Sequence, residues 1–273
     1  MKFEDVFCNT FKAIRERLYW KSFTLYHPKS LVNSGLSLDS QFCRAVVSNG
    51  YLTSEQLLNA VCRYRLGASK NGGVIFWQID HEGRIHDGKI MYYHPNCHRI
   101  KGQNPTWVSY LLAKREGLTQ GQYSTSHCLF GLHQISGEGF LDKPSGKAER
   151  VVRGERIPVA IVEAEKTAVI LSEHYPQYIW LAAGGLGELQ VNKFRPLRGR
   201  KVVLFPDTDP DGKTFASWHR RAQEVMAEPF WEDSPPIRVS PVLELHATPE
   251  QKQRKIDLID YLFEPSFTMF HNV

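Results

Sequence analysis

Apolar residues recur with two different periods along this chain, and the change of period divides it. Up to residue 65 the spacing is helical. In FEDVFCNTFKAIRERL, Val6, Phe7, Phe11, Ile14 and Leu18 fall near one face. LTSEQLLNAVCRYRLG opens with Thr53 or Ser54 as N-cap and is expected to stop at Gly67. The text then turns to strand. GGVIFWQIDHEGRIHDGKIMYY holds two β-rich runs about Glu82-Gly83, which predicts a hairpin in a β-rich lobe. NPTWVSYLLAKREGL resumes helix, and the polar, basic stretch 142–158, broken by Pro and Gly, is the expected domain boundary.

Beyond it short apolar runs alternate with helical ones. VAIVEA, YIWLAA and KVVLF read as strands, with IRVSPVL as a further candidate. EKTAVILSEHY, KTFASWHRRAQEVMAE and QKQRKIDLIDYLF read as helices. Continuous apolar strands between helices predict an α/β fold with a parallel sheet covered on both faces. The expected organisation is a helical leader over 1–65, a mixed α+β lobe over 66–150 and an α/β domain over 155–265.

Composition narrows the function classes modestly. The 273 residues are 42% hydrophobic and 23% charged, a globular mix with material for a sizeable core. A net charge of +5 permits a polyanionic partner without demanding one. Five scattered cysteines with no CxxC pair indicate neither a disulfide framework nor a zinc ribbon, so a reducing cytoplasm is the expected home. No stretch reaches the apolar length of a membrane span, and the charged N-terminus does not read as a secretion signal.

The chemistry concentrates in VVLFPDTDPDG. Asp207, Asp209 and Asp211 follow an apolar strand, with Gly212 behind them. In parallel sheets ligands bind beyond the C-terminal strand ends, and Glu163 occupies the corresponding place after VAIV. If the two strands are neighbours, Glu163, Asp207 and Asp209 meet at one edge. Such carboxylates raise one another's pKa unless a cation joins them, and oxygen ligands suit Mg²⁺ or Mn²⁺. A plain Asp/Gly turn is the bland alternative. An EF-hand loop needs Glu at its twelfth position, where Trp218 stands, and follows a helix rather than a strand. A haloacid-dehalogenase-type phosphatase motif lies early in its domain and continues with Gly-Thr, whereas here the motif comes late and Pro210 follows Asp209.

The pairing of VAIVEAEKTAVIL with VVLFPDTDPDG resembles the two motifs of the Toprim domain shared by bacterial primases, topoisomerases and some nucleases. Glu163 matches the glutamate of the first motif, and Asp207, Asp209 and Gly212 match the second. The primase branch carries Gly after that glutamate and Asp four residues beyond it, where this chain has Ala164 and Thr167. VEAEKTA is closer to the VEGEKDA style of phage and plasmid primases. Upstream, GVIFWQIDHEGRIHDGKI and CLFGLHQI are similar to the strand pair and the linking segment of primase catalytic cores. KIDLIDYL resembles the DxxDYL ending of phage primases and adds Asp257 and Asp260, otherwise read as the solvated face of an amphipathic helix.

The resemblance implies a Toprim-like, Rossmann-like parallel sheet behind a primase-like lobe. It also implies metal-dependent nucleotidyl transfer on single-stranded DNA, as in replication or mobilisation of a mobile element. Glu163, Asp207 and Asp209 would hold the metal, with Asp211 demoted to a turn. Glu165, at a helix start, is either an added acid or a dipole partner. Nucleoside triphosphates would be the other substrate, and a helicase or relaxase a candidate partner. A Toprim nuclease and a catalytically silent nucleic-acid-binding module are the alternatives.

Basic residues that could meet phosphates are Lys89, with Tyr92 and Tyr93 nearby to stack on a base, and two loops. One loop carries Lys147, Arg150, Arg153 and Arg156, the other Lys193, Arg195, Arg198, Arg200 and Lys201. Gly184, Gly185 and Gly187 make a loop beside the metal edge rather than a dinucleotide fingerprint. No zinc is expected, since His94, Cys97 and His98, even with His127 and Cys128, lack a second paired set of ligands.

Overall fold

The computed structural model describes residues 26–100, 102–117, 126–136, 156–185 and 187–264. The first part of the helical leader and the basic stretch with Lys147, Arg150 and Arg153 lie outside these residues.

Among the described residues three helices come first: α1 (Lys29–Asn33), α2 (Gln41–Ser48) and α3 (Ser54–Tyr64). Ser40 caps α2 by accepting from the Cys43 N–H. Thr53 caps α3 in a reciprocal box with Gln56, which satisfies two of the free N–H groups of the first turn. Helix α3 ends at Tyr64 because Arg65 turns left-handed (φ 57°), so the expected stop at Gly67 comes too late. Gly67 instead enters β1 (Gly67–Ala68).

The predicted hairpin forms as β2 (Val74–Ile79) and β3 (Ile85–Met91), paired from Val74↔Met91 to Ile79↔Ile85. With β1 and β4 (Thr106–Trp107) they make an antiparallel sheet in sequence order. Helix α4 (Val108–Glu116) follows.

The second sheet is parallel. Its strands are β5 (Val159–Val162), β6 (Ile179–Ala182), β7 (Val202–Leu204) and β8 (Arg238–Val239), in the order β6-β5-β7-β8. Every residue of β5 is buried, as the continuous apolar run requires. Helices α5 (Glu165–His174) and α6 (Lys213–Met226) follow β5 and β7. The fold is thus α/β, with a mixed antiparallel lobe ahead of a parallel sheet, as the periodicity predicts.

The end of the chain departs from expectation. IRVSPVL gives only β8 before Pro241 leads into α7 (Val242–His246). QKQRKIDLIDYLF is two helices, α8 (Pro249–Arg254) and α9 (Leu258–Phe263). Lys255 is left-handed (φ 55°), and Asp257 N-caps α9 by accepting from the Ile259 and Asp260 N–H groups. That cap competes with continuing the helix, and here it prevails.

The two sheets share one interior. Tyr64 of α3 donates its hydroxyl to the carbonyls of Trp180 (2.8 Å) and Ala168 (3.2 Å), and its ring stacks on Phe130. Phe130 is bridged antiparallel to Ala182 of β6. The largest apolar cluster accordingly joins Phe42, Val61 and Phe76 to Val162, Ile170 and Ile259. Among the described residues no helix is long and apolar enough to cross a membrane.

Candidate functional site

Strand β5 is central, with β6 on one side and β7 on the other, so the chain reverses its direction of travel across the sheet there. At such a switch point a crevice opens beyond the C-terminal strand ends. Strands β5 and β7 are direct neighbours, registered Val159↔Val202 to Ile161↔Leu204. Glu163 is the first residue past β5, and Asp207 follows β7 across Phe205 and the buried Pro206. Two carboxylates are thereby brought to one edge.

Asp257 and Asp260 join them. The reading of these two as a solvated helix face is corrected: Asp257 is buried, and both interact with Asp207. A helix cap, rather than an amphipathic face, sets their direction.

Burial, reinforced by Asp257 and Glu163, pushes the Asp207 carboxyl well above the usual carboxylate range, with Lys166 opposing. Burial likewise raises Glu163; Glu165 and Asp257 add to this, while Lys89 and Arg99 oppose. Asp260 is raised by burial and by Asp257. Asp257 runs the other way: burial would raise it, but Lys166, the α9 N–H groups and Thr167 outweigh that and hold it low. Among the described residues the Glu163 and Asp207 side chains have no hydrogen-bond or ion-pair partner.

Asp209 departs from the expected ligand role. Its Oδ1 accepts from the N–H groups of Asp211 (2.9 Å) and Lys213 (3.1 Å), and its Oδ2 accepts from that of Thr214 (2.6 Å). Burial would raise it, but these bonds prevail and hold it at about 2. Asp209 therefore closes the turn that starts α6. Asp211 is exposed and paired with Lys213, in keeping with its reading as a turn residue. Gly212 is left-handed (φ 66°), and a Cβ there would lie 3.1 Å from Glu244 Oε1, so the turn needs glycine. Among the described residues no three acidic, histidine or cysteine side chains are arranged as a ready metal cage.

Lys89 reaches this edge from β3. It is buried, and its Nζ donates to both oxygens of Glu165 (2.9 and 3.1 Å) and to the Gly184 carbonyl (2.6 Å). Glu165 is thus an ion-pair partner that ties α5 to β3. Tyr93 packs in the core against Phe42 and Phe76, while Tyr92 is half-buried.

Arg198 and Arg200 precede β7 and so stand at the opposite end of that strand from Asp207. Arg200 donates to the Ile135 carbonyl, Lys193 pairs with Glu188, and Arg195 lies over the Phe230 ring. The segment His94–His98 is a tight turn with Cys97 buried, its thiol pushed up to about 12 by burial. His127 stacks on Trp107, and Cys128 is buried.

Two site residues escape sequence reasoning. Lys166 looks like an ordinary helix former, yet only 8% of it is exposed and its Nζ lies 3.2 Å from Asp257. Arg99 is exposed, its charge acts on Glu163, and no motif marks it.

The donor set fits a hard divalent cation in part. Two unpartnered carboxylates at adjacent strand ends, each destabilised as an anion by burial, match the one or two protein ligands that Mg²⁺ takes while keeping waters for phosphate oxygens. Asp209 and Asp257 have their oxygens engaged elsewhere.

Residues 40–208 match a sequence family described as Domain of unknown function (DUF6371). No curated protein matches. Among solved structures, the primase fragment of the bacteriophage T7 primase-helicase protein aligns over 72% of this chain at 15% identity and a TM-score of 0.40; the chain spans 63% of that fragment. The E. coli primase catalytic core aligns over 86% of this chain and 80% of its own length, at 14% identity and 0.48. A DnaG primase catalytic domain bound to ssDNA aligns over 76% and 66%, at 12% identity and 0.42.

Proposed function

The chain belongs to the DUF6371 family, whose description assigns no activity, and from the chemistry of its own site we propose primase-like, divalent-metal-dependent nucleotidyl transfer on single-stranded DNA. The observation that carries this reading is the meeting of Glu163 and Asp207, both without hydrogen-bond or ion-pair partners among the described residues, at the ends of the adjacent parallel strands β5 and β7. The Toprim resemblance of the two flanking motifs supports it.

Glu163 and Asp207 would hold the metal, Mg²⁺ or Mn²⁺. The bound ion would bind the nucleotide's phosphates and offset the charge that develops in transfer. Asp209 fixes the path of the loop that carries Asp207, through its three bonds at the start of α6. Arg99, exposed and acting on Glu163 by its charge, would meet an incoming phosphate. Lys89 reaches phosphate only by leaving Glu165. Replication or mobilisation of a mobile element, with a helicase or relaxase alongside, is the setting that fits such an activity in a cytoplasmic protein.

One observation favours a second reading. Thr167 stands where the primase branch has an acid, and its hydroxyl donates to Asp257 (2.9 Å). A catalytically silent DNA-binding module on the same fold would tolerate that exchange. Labelled ribonucleotides, single-stranded templates of varied sequence and Mg²⁺ or Mn²⁺ separate the readings. Primer synthesis by the wild type, lost in Glu163→Gln and Asp207→Asn, is expected. DNA binding without product on any template would overturn the primase reading in favour of the silent module, and cleavage without nucleotides would point to a nuclease.

A further inference from the structure

Lys166 breaks two rules of placement at once. It lies in the first turn of α5, where the helix dipole disfavours a cation, and it is buried, where an ammonium loses its hydration. Such a residue persists only where negative charge holds it. Asp257 supplies the direct contact at 3.2 Å, and Asp260 acts on it at longer range.

The acceptor inventory around it is also uneven. An ionised carboxylate has about four acceptor positions. Asp257 uses all of its own: Oδ1 takes the Ile259 and Asp260 N–H groups (both 2.9 Å), and Oδ2 takes the Thr167 hydroxyl (2.9 Å) and the Lys166 ammonium. Asp209 is committed to the start of α6. Glu165 is committed to Lys89. Among the described residues Asp260 accepts only from the Asp257 N–H (3.4 Å) and keeps open positions, but Lys166 draws on its charge. Glu163 and Asp207, at the two adjacent strand ends, are left to ligate, a number that suits one Mg²⁺ and its waters.

We propose that Lys166 is the built-in second cation of this site, so that the chain takes a single divalent ion at Glu163 and Asp207 and uses the Lys166 ammonium where another ion would otherwise be drawn. The proposal rests on the metal reading above. Its components are a lysine and a threonine in consecutive positions, both turned onto Asp257. The threonine adds a donor without adding charge, and the lysine adds a charge that cannot dissociate. Metal occupancy then becomes independent of a second, weaker binding event.

The test counts ions rather than turnover. The full chain is titrated with Mn²⁺ and free Mn²⁺ is followed by electron paramagnetic resonance. One ion per wild-type chain is expected, together with two for Lys166→Met and one for Lys166→Arg, which keeps the charge. Two ions on the wild type would overturn the proposal and leave the metal reading standing. No ion on the wild type would overturn both. One ion on a folded Lys166→Met chain would show that the lysine holds no cation's place. If Lys166→Met unfolds in chelator, circular dichroism replaces the count: refolding on Mn²⁺ addition is expected, and a chain still unfolded at saturating Mn²⁺ overturns the proposal.

Discussion

At Asp209 three backbone N–H groups converge on one carboxylate, whereas two residues earlier Asp207 meets only other acids and the Lys166 ammonium. The two should respond oppositely to neutralisation. Asp209→Ala removes a helix-start acceptor and is expected to cost about 1 kcal/mol, read from the urea midpoint. The folded-state pKa of Asp209 is depressed. Its contribution is therefore full above the ordinary carboxylate range near pH 4 and is lost as pH falls toward 2. Asp207 is raised instead, so its charged form opposes folding. Asp207→Asn in chelator should stabilise the chain by on the order of 1 kcal/mol at pH 8. That gain should shrink toward pH 5, as wild-type Asp207 takes up its proton first in the folded state. Equal melting curves for wild type and Asp207→Asn at both pH values would show that the cluster carries no strain. Sequence marks Glu163 and Asp207 because both follow apolar strands, a local signal. It does not mark Lys166, whose partner Asp257 lies in a different helix far along the chain, and the spacing EKTAVIL disguises it as helix body.

Elements were legible wherever a single period ran unbroken. The hairpin β2–β3, the strand β5 and the helix α6 all appear as their patterns demand. The break between α8 and α9 is hidden in the periodicity, although Asp257 and Asp260 carry it as a capping box. An Asp inside an apolar-periodic run reads as a polar face until its carboxylate is seen to turn back on the N–H groups after it. The turn after β6 shows the same dependence on backbone. Gly184 sits at φ +93°, and a Cβ there would lie 3.3 Å from Glu165 Oε1 and 4.0 Å from Lys89 Nζ. Gly184→Ala should cost about 1–3 kcal/mol through backbone strain. Gly187→Ala, with nothing within 4 Å of its Cβ position, should leave the thermal midpoint nearly unchanged. Equal losses at the two glycines would remove the special role of Gly184.

Across the whole molecule the Lys89–Glu165 pair is the polar counterpart of the shared apolar interior. It joins β3 of the antiparallel sheet to α5 above the parallel one, and both partners are buried. Lys89→Met leaves Glu165 buried and alone and should cost about 3–5 kcal/mol in denaturant unfolding, while Lys89→Met with Glu165→Gln should recover most of that loss. A double variant as unstable as the single one would mean that packing of the lysine stem, not charge, holds the lobes. Sequence placed Lys89 near the site but gave no hint of Glu165 as its partner. Contacts between sheets depend on how whole elements dock, which no local period encodes.

The bridge from Tyr64 and Phe130 to Trp180, Ala168 and Ala182 also bears on how such a chain can change over generations. Because either sheet alone would expose its side of the shared interior, a recombination event that lent one sheet to a foreign partner would strand an apolar face on each product. The two lobes are heritable only as a pair, because each supplies one wall of that joint interior.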